Sequence, residues 1–230
     1  MNAPVSDSMR KAIEAIALED RYTLNSGRAF MYFGMFGSIF LLTQYFQTSR
    51  GFSPFDSGLR VLPWTAMPLI VAPIAGALTD RIGGGRIMAT GLFLQAIGLA
   101  WIAAVTSPTA AYTSLVGPFI LSGIGMGMFF APVAYVVLSA VKPVEEGKAS
   151  GANNAIREVG GVLGVAVLAS IFAHYGGYGT SETFNDGLVP AIWIGAAVVG
   201  VGATLALLIP PQRRVAEEVP SDFVAQPEAA

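Results

Sequence analysis

Six long apolar stretches constrain this chain more than any other feature. Residues 28–46, 60–79, 87–106, 112–141, 155–174 and 188–209 each approach or exceed the roughly 20 apolar residues that cross a bilayer. Backbone groups in lipid are satisfied only inside helices or closed barrels. A barrel needs alternating strands of about ten residues, and no such alternation runs through this sequence. The expected fold is therefore an all-α membrane protein with six transmembrane helices. Charged residues make up 12% of the chain and the mean hydropathy is +0.60, against about 25% charged residues in soluble domains. Cysteine is absent, which removes disulfides and thiolate metal sites. A net charge of -2 gives no footprint for nucleic acid, so the bilayer itself is the first partner implied.

Positive charge sets the expected orientation. Of the 13 Lys and Arg residues, only Arg50 and Arg60 fall on the outer side when the N-terminus is placed inside. Both termini are therefore expected in the cytoplasm. Residues 1–27 precede the first span. Within them 8–22 space Met9, Ile13, Ile16 and Ala17 as on an amphipathic surface helix, although a partly ordered lead-in fits as well. No signal peptide is expected ahead of Arg28, so the mature chain is expected to begin at Met1. Residues 28–210 form the bundle, and the acidic, proline-bearing 211–230 reads as a disordered tail.

Six spans divide into three and three, and an odd number per set turns the second set upside down, as in the 3+3 inverted repeats of transporters. The polar segments 47–59 and 142–153 have similar lengths and fit that division. Glycines at GxxxG spacing, Gly123 with Gly127 and Gly160 with Gly164, permit close helix contacts, and Ala166 and Ser170 follow as a pair at the same interval. These contacts serve either static packing or a sliding surface. Pro63, Pro68, Pro73 and Pro132 remove backbone donors within spans and favour kinks.

Between the second and third stretches runs GALTDRIGGGRI, Gly76 to Ile87. Its glycines fit neither the phosphate-binding loop nor the dinucleotide fingerprint, and they lie between membrane helices rather than after a strand. No cofactor is expected. Asp80 closes the second span, Gly83 to Gly85 allow a tight turn, and Arg81 and Arg86 meet lipid head groups. An acid here that pairs with an arginine in one conformation and releases it in another is a latch.

Gly76, Leu78, Asp80, Arg81 and Gly83 match GxLxDRxG, the loop signature of the major facilitator superfamily. Downstream, Gly123, Gly125, Gly127, Pro132, Gly147, Ser150, Gly151, Asn154, Arg157, Gly161, Gly164 and Ala166 resemble the C-terminal half of fourteen-span drug:proton antiporters. With FSPFDSGLRVLPW ahead of the second span, the resemblance covers approximately residues 28–210. The chain departs from the longer signature at Gly84 and Gly85, where the family has basic residues, and delays its arginine to Arg86. It also holds only one six-span half and lacks the half that in the family carries the membrane-embedded acid of proton coupling, so either an N-terminal half transporter supplies it or the chain pairs with itself as a homodimer. A non-transporting membrane subunit or a gene fragment is the alternative.

What the resemblance implies is export of lipophilic or cationic drugs, a small-molecule substrate, driven by the proton-motive force from a bacterial inner membrane. In the family fold the first and fourth spans of a half face the cavity, the second and fifth meet the other half, and the third and sixth lie outside. Tyr32, Phe36 and Gln44, with Met126, Phe129, Phe130 and Tyr135, are then the cavity candidates, aromatic faces attracting cations and methionines adapting to varied shapes. Gly76, Asp80, Arg81, Gly83, Arg86 and Arg157 are the latch candidates. Arg157 and Glu158 sit about one turn inside the fifth span, within snorkelling reach of water. His174, the one histidine, reads as an interfacial polar residue at the end of that span, or as a sensor of external protons. Nothing in the sequence sets out a catalytic triad, a metal cluster or a carboxylate pair, so an enzyme is not expected.

Overall fold

The computed structural model describes residues 27–139 and 146–207, apart from the side chains of Asp80, 134–139, Glu146, Lys148 and Ala149. The expected surface helix at 8–22, Lys142 and the tail at 211–230 lie outside these residues. Six membrane-length apolar spans are present and, among the described residues, no strand. The first is α1, Gly27–Ser49. The second is divided into α2, Pro54–Thr65, and α3, Met67–Ile82. The remaining four are α4 (Gly84–Val105), α5 (Tyr112–Ser139), α6 (Glu146–Tyr175) and α7 (Ser181–Leu207).

Several helices begin earlier than the apolar stretches suggest. α2 starts at Pro54 rather than 60, α6 at Glu146 rather than 155 and α7 at Ser181 rather than 188. Hydropathy marks only the length in hydrocarbon, whereas the hydrogen-bond ladder continues into the head-group region. At α2 the start is local: the Ser53 hydroxyl accepts from the Asp56 amide at 3.1 Å and donates to its carboxylate at 2.8 Å, while Pro54 supplies a helical φ at the first position.

The break in the second span has a covalent cause. Pro68 has no N–H to offer the carbonyl of Trp64 four residues earlier, and the ladder tightens beyond it, Ala66 still donating to Leu62 at 2.8 Å while Leu69 donates to Ala66, three residues back, at 3.1 Å. The freed Trp64 carbonyl lies against Gly123 of α5, where the lack of a side chain admits it. The turn of GALTDRIGGGRI is tighter than the three glycines suggest. Gly83 alone takes positive φ, +94, ending α3 by donating to the Thr79 carbonyl at 3.0 Å, and Gly84 and Gly85 are already helical residues of α4.

α4 and α7 pack on one another, and α1 and α5 lie against this pair. Gly125 of α5 meets the backbone of α4, where a methyl group on it would stand 2.6 Å from the Gln95 nitrogen. Gly164 of α6 meets α1 equally closely, 2.7 Å from the Phe33 Cα by the same measure. Both GxxxG pairs thus lie in contacts, Gly123 and Gly127 with α2 and α3, Gly160 and Gly164 with α1. The Ala166 and Ser170 pair, two residues out of register with Gly164 and so turned to the other side of α6, is exposed rather than in a helix contact.

The pairings obey the inverted repeat. Exchanging the first three spans with the last three turns α4 on α5 into α7 on α1, α3 on α5 into α6 on α1, and α4 on α7 into itself, and all five contacts are present. The most hydrophobic windows of the second and fifth spans are only 17% and 28% buried, against 44–56% for the other four. These two spans are therefore the least covered by the rest of the bundle.

Candidate substrate cavity and latch

Aromatic side chains from the first turns of α1 and the later turns of α5 meet. The Tyr32 ring stacks on Phe130 at 6.0 Å, meets Phe129 edge-on at 6.2 Å, and lies 6.3 Å from Phe36. Helical spacing places Tyr32 and Phe36 on one face of α1, and the α5 residues close the group from the other side. Phe129 and Met126 are buried beneath it, Phe130 is half-buried, and Phe36 is 39% exposed. Five of the seven cavity candidates are thus in or directly under one cluster or adjoin it in α5. Gln44 is not with them: it lies twelve residues beyond Tyr32, about 18 Å along α1 at a rise of roughly 1.5 Å per residue. Tyr135 falls among the side chains that are not described.

Beside Phe36 the surface opens into a concavity of about 440 Å³ lined by Phe36, Glu158, Gly161, Val162, Val165 and Ala166. Gly161 makes room for the ring, since a methyl group there would stand 2.9 Å from the Phe36 Cδ2. Glu158 is its one acid. The Glu158 carboxylate accepts from Arg157 Nη2 at 2.9 Å and Nε at 3.2 Å, with the two side chains 43% and 60% exposed for arginine and glutamate respectively. The sequence marked the Arg157–Glu158 pair but not the wall that Glu158 shares with Phe36, because that wall forms only when α6 packs on α1.

The remaining latch candidates lie in the second half of α3 and the turn that follows it. Gly76 lies 3.8 Å, measured from an added methyl group, from Ala131 of α5. Arg81 and Arg86 are exposed on either side of the Gly83 turn. Asp80 belongs to the last turn of α3. Arg157 engages Glu158 on its own helix, next in sequence, rather than a carboxylate on another described helix.

At the other end of the bundle the connections are tied together in a way that sequence reasoning missed. The Arg60 guanidinium lies 3.5 Å over the Phe52 ring and 5.8 Å from that of Tyr112, whose hydroxyl donates to the Arg60 carbonyl at 3.1 Å. Arg50 donates to the Pro108 carbonyl at 2.8 Å, and Tyr45 to that of Ser107 at 2.7 Å. Ser181 reaches the Ser49 carbonyl at 2.8 Å. The available signal was Arg60 itself, a charge at the edge of an apolar stretch. His174, exposed at the end of α6, meets the Tyr175 ring edge-on at 4.8 Å. Among the described residues no group of three His, Cys, Asp or Glu is placed to hold a metal ion.

Comparison with known proteins gives the arrangement a context. Residues 24–228 match the Major Facilitator Superfamily. The chain is 35% identical over 143 residues to the multidrug resistance protein Stp of Mycobacterium tuberculosis, a stretch that is 62% of this chain and 26% of that protein. It is 33% identical over 144 residues to the tetracenomycin C resistance and export protein of Streptomyces glaucescens, covering 62% of this chain and 26% of the relative. With the cephamycin export protein CmcT of Amycolatopsis lactamdurans the identity is 31% over 189 residues, 80% of this chain and 37% of the relative. The chain thus spans about a quarter to a little over a third of the length of these relatives. With the GxLxDRxG turn in place between its second and third spans and the match extending over most of its length, this multi-pass membrane chain belongs to the major facilitator superfamily.

Proposed function

We propose that the chain is the C-terminal six-span half of a fourteen-span-type drug:proton antiporter and exports lipophilic or cationic compounds. The observation that carries this reading is the concavity beside Phe36. It is apolar except for Glu158, its Phe36 wall lies 6.3 Å from the Tyr32 ring, and it opens on the fifth span, one of the two that the bundle covers least. Aromatic faces and a carboxylate both attract a cation in low dielectric. The surfaces of α3 and α6 then receive an N-terminal half, and rocking of one half against the other gives alternating access. The termini are cytoplasmic in a bacterial inner membrane, Asp80, Arg81 and Arg157 bias the inward-closed state, and the partner half supplies proton coupling.

The test is accumulation of a fluorescent lipophilic cation in cells that lack their own exporters, with membrane levels verified. Expressed alone, the chain is expected to leave accumulation unchanged. Expressed with the N-terminal region of a relative such as Stp, it is expected to lower accumulation until a protonophore is added, and Glu158→Gln is expected to weaken export of the cation more than that of a neutral compound. Lowered accumulation by the chain alone would replace the partner half with self-association, and unchanged accumulation in every combination would reject export.

A further inference from the structure

A second concavity, of about 290 Å³, lies on the far side of the bundle between α4 and α7, away from the aromatic cluster. It is lined by Ala89, Thr90, Phe93, Ala203, Thr204 and Leu207. Both hydroxyls turn back onto their own helices, Thr90 to the Arg86 carbonyl at 2.9 Å and Thr204 to that of Val201 at 2.8 Å, so the groove presents hydrocarbon and leaves no polar group seeking a partner. It occupies the first turns of α4 and the last turns of α7, and therefore lies in the leaflet at the end of the bundle that carries Arg81 and Arg86.

Arg86 stands one turn before Thr90 and two before Phe93 on the same face of α4, between the groove and the start of the helix. It is exposed and makes no ion pair among the described residues. From Arg86 to Phe93 the helix rises about 10 Å, at roughly 1.5 Å per residue. That distance brings a head-group phosphate to the arginine while a chain attached to it lies along Thr90 and Phe93. A free soluble anion would use the arginine and ignore the groove, and a neutral lipid would use the groove and ignore the arginine.

We propose that the groove between α4 and α7 seats an acyl chain of an anionic phospholipid whose phosphate is held by Arg86. The groove shares no lining residue with the concavity beside Phe36, so a lipid held there does not depend on which compound the chain exports.

The experiment uses the full chain in phosphatidylcholine bilayers carrying either spin-labelled phosphatidylglycerol or spin-labelled phosphatidylcholine, and reads the fraction of each label immobilised on the protein. Phosphatidylglycerol is expected to be held in preference, and Arg86→Gln to reduce that preference roughly fivefold, the scale of one basic residue at a membrane surface. Arg86→Lys is expected to restore most of it. Thr204→Phe, which fills the groove from an exposed position, is expected to lower the held phosphatidylglycerol with Arg86 intact. Equal retention of the two lipids by the unaltered chain would overturn the proposal. So would a Thr204→Phe chain that still prefers phosphatidylglycerol in full, since charge would then act on the leaflet at large, or the chain beyond Leu207 would fill the groove.

Discussion

Single residues decide where this bundle turns and how its ends are tied. The three consecutive glycines look interchangeable in sequence, yet Gly83 alone occupies positive φ, and Gly84 and Gly85 continue as helix. Alanine substitution separates them. Gly83→Ala is expected to cost about 1 kcal/mol or more through backbone strain, whereas Gly84→Ala and Gly85→Ala are expected to be neutral or to stabilise by up to about 1 kcal/mol through helix propensity. Thermal unfolding of the three variants in detergent reads the difference, and a uniform loss would place the turn elsewhere. At the opposite end, Arg60 over Phe52 in a half-buried setting is a cation–π contact on the order of 1 kcal/mol. Phe52→Leu keeps an apolar side chain and removes the π face, so the thermal midpoint should fall, and Arg60→Ala in the Phe52→Leu background should cost less than in the unaltered chain. Additive losses would mean that the two side chains do not interact.

Between elements, backbone meets backbone. α1 and α6 approach until Gly164 faces the Phe33 carbonyl, with the Phe33 Cα 2.7 Å from where a methyl group would stand. Backbone atoms cannot rotate aside as a side chain does. Gly164→Ala therefore has to part the helices, with an expected cost of about 1–3 kcal/mol typical of overpacking. Gly58→Ala, with open space around the added methyl group, serves as the control and should lose nothing from crowding. The readout is the unfolding midpoint of purified chains, and equal midpoints would show that the helices separate freely. The same contact builds the wall between Phe36 and Gly161, so the Gly164 change is also expected to alter the shape of the 440 Å³ concavity. The second span behaves differently because Pro68 interrupts it. Its freed carbonyl is taken up against Gly123, which ties the kink to α5 rather than leaving it as a loose joint.

At the scale of the whole molecule, α4 and α7 form a back wall, α1 and α5 stand before it, and α3 and α6 carry the least covered surfaces. Exposed Trp101 and Trp193 on the back wall suit a lipid boundary, where indole rings collect near the interfaces. On α6 the exposed residues include Ala155, Val159, Val162, Ala166 and Ser170, a smaller relief that suits close helix contact. A latch operates only when such halves move against one another. In a transport-competent complex, Asp80→Asn is expected to reduce transport without lowering the amount of protein in the membrane. Equal transport at equal abundance would remove Asp80 from the mechanism.

The number of spans, their helical nature and the GxLxDRxG turn were legible from sequence, because each depends on local chemistry: enough apolar residues to cross hydrocarbon, and a glycine that tolerates positive φ. Close helix contacts at Gly123, Gly127, Gly160 and Gly164 were legible for the same reason, their spacing being a property of one helix. Which helix each one meets was not. That Phe36 and Glu158 share a wall, that Tyr32 meets Phe129 and Phe130, and that Arg60, over Phe52, is tied to Tyr112 depend on how separate spans come together. The sequence alone determined a six-helix membrane bundle of a known superfamily. Only the tertiary structure decided which of its polar and aromatic residues meet, because such contacts join residues far apart in the chain and no periodicity within one helix encodes its neighbour.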